Sequence, residues 1–193
     1  MTYTLYSFSV NHLKQYVGLV AALYLCIACQ SDIYFIIGEA SELPSGSILY
    51  LTDDVSASRQ PFDSIVISDG RFHYRGTVVT PHITMLYPAA SQQHGFTFFT
   101  EPGNIYIELS PTTERSRVSG TVINNRWQAL NDSVAKYDSR IRHILGTSDD
   151  TVALRQRYEG TRLLYDQLTQ IISSAALLNK ENALGRFISS HHE

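Results

Sequence analysis

The sequence predicts an α+β fold, an antiparallel β-sandwich of about seven or eight strands followed by a helical hairpin. Two observations carry this. Short β-branched and aromatic runs separated by turn residues fill positions 33 to 120, and a three-four apolar spacing replaces them afterwards. A third agrees with them: 12 tyrosines and 8 phenylalanines against only 17% charged residues favour strands over an all-helical bundle.

The first strand is read from Ile33-Tyr34-Phe35-Ile36-Ile37, ended by Gly38. Leu43-Pro44-Ser45-Gly46-Ser47 is a turn, and Ile48-Leu49-Tyr50-Leu51 follows it. Residues 53–61 are polar and turn-like, before Phe62 to Ile67. Asp69-Gly70 then stands between two β-rich runs, the pair that a type I′ hairpin turn needs. Beyond it, Phe72 and Tyr74 alternate with Arg71, His73 and Arg75, which puts aromatic rings on one face and charge on the other. A second hairpin is expected from Phe96 to Leu109 around Pro102-Gly103, with Ile105, Ile107 and Leu109 on one face and Asn104, Tyr106 and Glu108 on the other.

In the second half, Trp127, Leu130, Val134, Tyr137, Ile141 and Ile144 share one helical face. Asn124 or Asn125 is expected to cap that helix and Gly146 to end it. Arg126, Asp132, Lys136, Arg140 and Arg142 fall on the solvated side. Ser148 or Asp149 would cap a second helix carrying Leu154, Tyr158, Thr161, Tyr165, Leu168, Ile172 and Ala175 inward, to about Leu178. Gly160 inside it costs about 1 kcal/mol and is read as a close contact or a bend. A short third segment starts at Glu181, and its Leu184, Phe187 and Ile188 require something to pack against.

The amino terminus reads as an address. The run from Val17 to Ala28 has no charge, follows Lys14, and is shorter than the ~20 residues a membrane-spanning helix needs. Residues 1–28 are therefore expected to be a signal peptide, with 29–120 the sandwich domain and 121–193 a helical segment packed on it. Leu25-Cys26-Ile27-Ala28-Cys29 resembles a bacterial lipoprotein signal, with Cys26 where an aliphatic residue is usual. That resemblance implies cleavage before Cys29 and lipidation of its sulfur, which would hold the protein at a membrane of the cell envelope, on the periplasmic side or at the outer membrane. Cys26 and Cys29 are the only cysteines, so a chain processed there keeps no free thiol for exchange, nucleophilic or thiolate-zinc chemistry.

The net charge of −3 gives no field to recruit nucleic acid. Each candidate site in the sequence also has an ordinary structural role open to it. His73 between Arg71 and Arg75 could meet an anion, although a solvated histidine is the simpler reading. Asp63-Ser64 lacks a Gly-X-Ser-X-Gly elbow. Glu101 and Glu108 could form a carboxylate pair but read more simply as polar groups of a hairpin. His191-His192 at a terminus offers no closed ligand set. Tyr74, Phe96, Phe98 and Phe99 could line a groove, with core packing the plainer alternative. No phosphate loop or dinucleotide fingerprint is present. No catalytic, cofactor-binding or metal-ligating residue is assigned, and no cofactor is expected.

Several of these motifs together resemble an uncharacterised β-rich domain found ahead of thioredoxin-like domains in thiol–disulfide interchange lipoproteins of Gram-negative bacteria. The residues that carry the resemblance are Phe35-Ile36-Ile37-Gly38, Asp63-Ser64, Asp69-Gly70-Arg71-Phe72 with Tyr74 and Gly76, Glu101-Pro102-Gly103-Asn104-Ile105, Val118-Ser119-Gly120-Thr121 with Asn124, and Asn182-Ala183-Leu184-Gly185. They span residues 33 to 188. The redox Cys-X-X-Cys of that family lies in the thioredoxin-like domain, so no redox residue carries over to these positions. The expectation is a non-enzymatic envelope module that binds a protein partner or small ligand, or else the accessory half of a thiol–disulfide system.

Overall fold

A computed structural model describes residues 32–53, 60–90, 95–146 and 151–191. The signal segment, Cys26, Cys29, Ser148, Asp149 and His192 lie outside the described residues. Eight strands precede three helices: β1 (Ile33–Glu39), β2 (Ile48–Thr52), β3 (Asp63–Val66), β4 (Arg71–Thr77), β5 (His82–Pro88), β6 (Phe96–Thr100), β7 (Gly103–Glu108) and β8 (Arg117–Ser119), then α1 (Val122–Leu145), α2 (Thr151–Leu178) and α3 (Ala183–Ser190). They form two four-stranded sheets, β4-β1-β7-β8 and β3-β2-β5-β6. Ile36, Phe72, Ile105, Ile107 and Val118 of the first sheet share one buried core with Leu49, Leu51, Ile65, Leu86 and Phe98 of the second. The sandwich is antiparallel except at its centre, where β1 and β7 pair in parallel.

The Asp69-Gly70 turn forms as expected. Both residues have positive φ, 51° and 71°, and Ser68 and Arg71 exchange two backbone hydrogen bonds of 2.9 Å. The strands on either side then part, β3 to one sheet and β4 to the other, so the turn is a corner of the sandwich. The Pro102-Gly103 hairpin does not form. β6 pairs with β5 and β7 with β1, and Gly103, at φ 123°, starts a crossing between sheets. The expected inward set Ile105, Ile107, Leu109 is nevertheless buried, because alternation depends only on the extended backbone.

β5 has no counterpart in the sequence reading. Thr84, Met85, Leu86 and Tyr87 are all buried, with the core on one side and the helical layer near the other, so the alternation that marks a half-exposed strand is missing.

The α1 stripe lies where the spacing puts it: Leu130 and Ile141 are buried, and Trp127, Val134, Tyr137 and Ile144 are partly buried. The start of the helix differs. Its N-cap is Thr121, and neither Asn124 nor Asn125 caps it; the first-turn N–H groups of Ile123 and Asn124 are met by a carboxylate from the strands, described below. In α2 the inward residues are Thr161, Leu164, Leu168, Ile171, Ile172 and Ala175, whereas Tyr158 and Tyr165 face solvent. Gly160 is not a close contact: a Cβ there would meet open space. The third segment is capped by Asn182, whose side chain accepts from the N–H groups of Leu184 and Gly185. Leu184 and Ile188 are buried with Phe99, Ile123 and Leu130, so the apolar residues near the carboxyl end have their partners.

Helix α1 also closes one side of the sandwich. The free edge of β6 is met by side chains: Trp127 Nε1 donates to the Thr97 carbonyl (3.0 Å), while Asn124 accepts from Phe99 N–H and donates to its carbonyl (2.8 Å each). On the free edge of β8, Val118 N–H donates to Gln128 Oε1 (2.9 Å), and Arg117 pairs with Asp132. One helix thereby supplies what a further strand would give each sheet. Among the described residues no helix is long and apolar enough to cross a membrane.

Candidate functional site

At the end of the sandwich where β1 begins and β4 finishes, the two sheets part to leave a cleft of about 430 Å³. Tyr34, Tyr74, Arg75, Gly76 and Thr77 line it from the first sheet, Asp53, Phe62 and His82 from the second. Gly76 stands opposite Tyr34 in the β1–β4 ladder. A Cβ there would come within 2.4 Å of the Tyr34 ring, so glycine is what lets that ring lie across the strand.

The polar groups form two linked sets. Tyr74 donates its hydroxyl to Asp63 Oδ2 (2.9 Å), and the two tyrosine rings stand 5.9 Å apart. Burial raises the pKa of Tyr34 above the ordinary phenol value. Tyr74 is raised further, first by burial and then by its bond to the Asp63 carboxylate, so both stay protonated at neutral pH. In the second set, His82 Nδ1 faces the Thr80 carbonyl (2.9 Å), which can only accept, so that nitrogen carries hydrogen. His82 Nε2 stands 3.1 Å from both Asp53 Oδ1 and Thr100 Oγ1, and Thr84 Oγ1 donates to the same Asp53 oxygen (3.0 Å).

Among the described residues the Arg75 guanidinium makes no ion pair or hydrogen bond. The cleft therefore offers hydroxyls and a carboxylate already held in place, together with one cation available to a ligand. A larger hollow of about 770 Å³ between α1 and α2 is lined by Leu130, Ile171, Ala175 and Leu178; its Arg126 is engaged with Asn179 Oδ1 at 2.9 Å.

The residues singled out in the sequence take mostly structural roles. Asp63 accepts Ser64 N–H and Tyr74 O–H, and no histidine joins that pair in the hydrogen bonds of the described residues. Glu101, only 9% exposed, caps α1: its Oε1 accepts from Ile123 N–H (2.7 Å) and Asn124 N–H (3.2 Å). Glu108 lies at the far end of β7, some 17 Å of strand away, so the two acids form no pair. Phe96, Phe98 and Phe99 are core residues; of that group Tyr74 lines the cleft between the sheets, and Phe96 borders a separate hollow beside Trp127. His73 is exposed on the outer face of β4. His191 Nδ1 lies 2.9 Å from the Phe187 carbonyl. Among the described residues no three His, Cys, Asp or Glu side chains gather as a metal site. Asp53 and His82 were not anticipated; 29 positions apart, they carry no local motif.

Residues 34–127 match a family model described as a domain of unknown function, DUF4369. No curated protein matches the chain. The matched segment begins at Tyr34 in the cleft and ends at Trp127, within α1.

Proposed function

We propose that this chain is a non-catalytic binding module of the cell envelope, whose cleft at the end of the sandwich receives a small polar ligand. The observation that carries the reading is the cleft itself. Both sheets contribute hydrogen-bonding groups to it, and the Arg75 guanidinium, which makes no ion pair or hydrogen bond among the described residues, points to a ligand group that accepts hydrogen bonds. The acids singled out from the sequence, Asp63 and Glu101, are engaged in holding the fold. The test is an NMR titration of the full chain with a monosaccharide, an amino acid, inorganic phosphate and a dicarboxylate. At least one should shift the amides of Tyr74 to Thr77 and His82 saturably, and Arg75→Ala should abolish the shift. No perturbation by any of the four sinks the cleft reading.

Envelope attachment rests on the sequence, through the signal at 1–28 and the lipid on Cys29. Labelling cells with a fatty-acid analogue should mark the wild type and leave Cys29→Ser unmarked; equal label in both removes the anchor. With an anchor, the partner field is the envelope: a small ligand or a neighbouring envelope protein, on the membrane and away from nucleic acid.

A second reading, accessory half of a thiol–disulfide interchange system, is favoured by the DUF4369 match, which falls on the stretch carrying the resemblance to the domain ahead of thioredoxin-like domains. It expects a Cys-X-X-Cys protein encoded beside or downstream of this frame. A gene neighbourhood without one counts against it.

A further inference from the structure

The outer face of the first sheet is built as though something covers it. β1 is apolar on both sides: Tyr34 and Ile36 face the core, while Phe35 and Ile37 point outward and remain 41% and 36% exposed. Strands with apolar residues on both faces are usually buried on both, and here the second face is open. Tyr106 of β7, beside Ile37 in the ladder, adds a ring that is 45% exposed. Across the other edge of β1, Phe35 is paired with Arg75 and Ile37 with His73. A shallow hollow of about 560 Å³ runs over these residues, lined by Phe35, Ile37, His73, Tyr74, Arg75 and Asn104.

Its dimensions and charge limit the occupant. Phe35 and Ile37 are two residues apart on one face, about 7 Å, and the neighbouring strands stand about 5 Å to either side. The apolar floor is thus the size of one phenyl ring or a chain of roughly six to eight carbons, far below the ~800 Å² per partner of a stable protein interface. Arg75 is the one guanidinium lining the hollow and makes no ion pair among the described residues. We infer that this face binds an amphipathic monocarboxylate, an aryl or medium-chain alkyl acid whose carboxylate meets Arg75 with His73 beside it while its apolar part lies on Phe35 and Ile37. Tyr74 and Arg75 border both hollows, but Phe35, Ile37, His73 and Asn104 line the outer face and not the cleft, so substitutions and shifts at those four test this reading apart from the cleft.

The probes are 3-phenylpropionate and octanoate, with 3-phenylpropanol and octanol as uncharged controls, each titrated into the full chain and followed by amide NMR. The acids should shift Phe35, Ile37, His73 and Asn104 saturably with Kd below about 1 mM, and the alcohols should bind about tenfold more weakly. Arg75→Gln should remove that difference, Phe35→Thr or Ile37→Thr should weaken acid and alcohol together, and His82→Ala in the cleft should change neither. Equal binding of acid and alcohol, or an Arg75→Gln variant that binds the acids normally, overturns the inference. So do shifts confined to Asp53, His82 and Thr77. Concentration-dependent broadening of the same outer-face amides without any probe, lost in Phe35→Thr, would assign the face to a second copy instead.

Discussion

Replacing Glu101 by alanine removes the acceptor that holds the start of α1 to the sandwich. Two N–H groups, of Ile123 and Asn124, lose a carboxylate oxygen at 2.7 and 3.2 Å, in a place where Glu101 is 9% exposed and Asn124 fully buried. Water has poor access to replace it. Loss of an N-terminal cap costs about 0.5–2 kcal/mol, and a hydrogen bond to a charged group contributes roughly 1.5–3 kcal/mol net. The two ranges describe the same contacts from different sides, so the expected loss is about 1.5–3 kcal/mol, or roughly 3–12 °C in Tm for a domain of this size. Glu101→Gln keeps an oxygen acceptor and loses only the charge at the positive end of the helix, a cost of about 1 kcal/mol. The assay is urea unfolding followed by Trp127, the single tryptophan, whose ring stands edge-on to Phe99 and Phe187 at 5.9 and 5.6 Å. Exposed Glu108→Ala is the control and should stay within about 0.5 kcal/mol of wild type. A Glu101→Ala variant as stable as that control would refute the account of how α1 is attached.

Four further outcomes are expected. Asn124→Leu strands the N–H and carbonyl of Phe99, and equilibrium unfolding should show a loss of about 2–4 kcal/mol. Gly76→Ala drives a Cβ into the Tyr34 ring and should cost about 1–3 kcal/mol, with near-ultraviolet circular dichroism reporting the displaced ring. Gly160→Ala should do the reverse, raising stability by about 0.5–1 kcal/mol, because the added methyl meets open space in the interior of α2. The raised pKa values of Tyr34 and Tyr74 mean that the folded chain holds protons the unfolded chain releases near pH 10. Their contribution is therefore complete below that pH and lost as pH rises beyond it; Tyr74→Phe should flatten the alkaline decline seen in unfolding midpoints between pH 9 and 11.

What the sequence made legible was local. The Asp69-Gly70 turn, the alternation in β4 and the α1 stripe depend on neighbours a few positions away, and each stands where the residues put it. Pro102-Gly103 was misread because a hairpin and a crossing between sheets begin with the same turn chemistry; which strand lies alongside is decided by β1 and β5, far off in sequence. The face of α2 was rotated for a similar reason. A three-four spacing through Tyr158 and Tyr165 competes with one through Leu164 and Ile171, and α1 and α3 select the second. The cleft was invisible because Tyr34, Asp53, Tyr74 and His82 come from four separated segments, joined only when the sheets close. Glu101 shows the same limit: a buried acid at a crossover differs from a surface acid only once the helix it serves is in place.

The hem that α1 sews along β6 and β8 bears on how the polypeptide can be divided. A fragment stopped at Trp127 would keep Asn124 but lose Gln128 and Asp132 from the β8 side, and Leu184 and Ile188 from above Phe99. The raw β8 border and an uncovered phenylalanine would then be open to strand-by-strand stacking of copies, the usual start of insoluble aggregates. Cutting near residue 190, beyond the last short helix, leaves the garment whole.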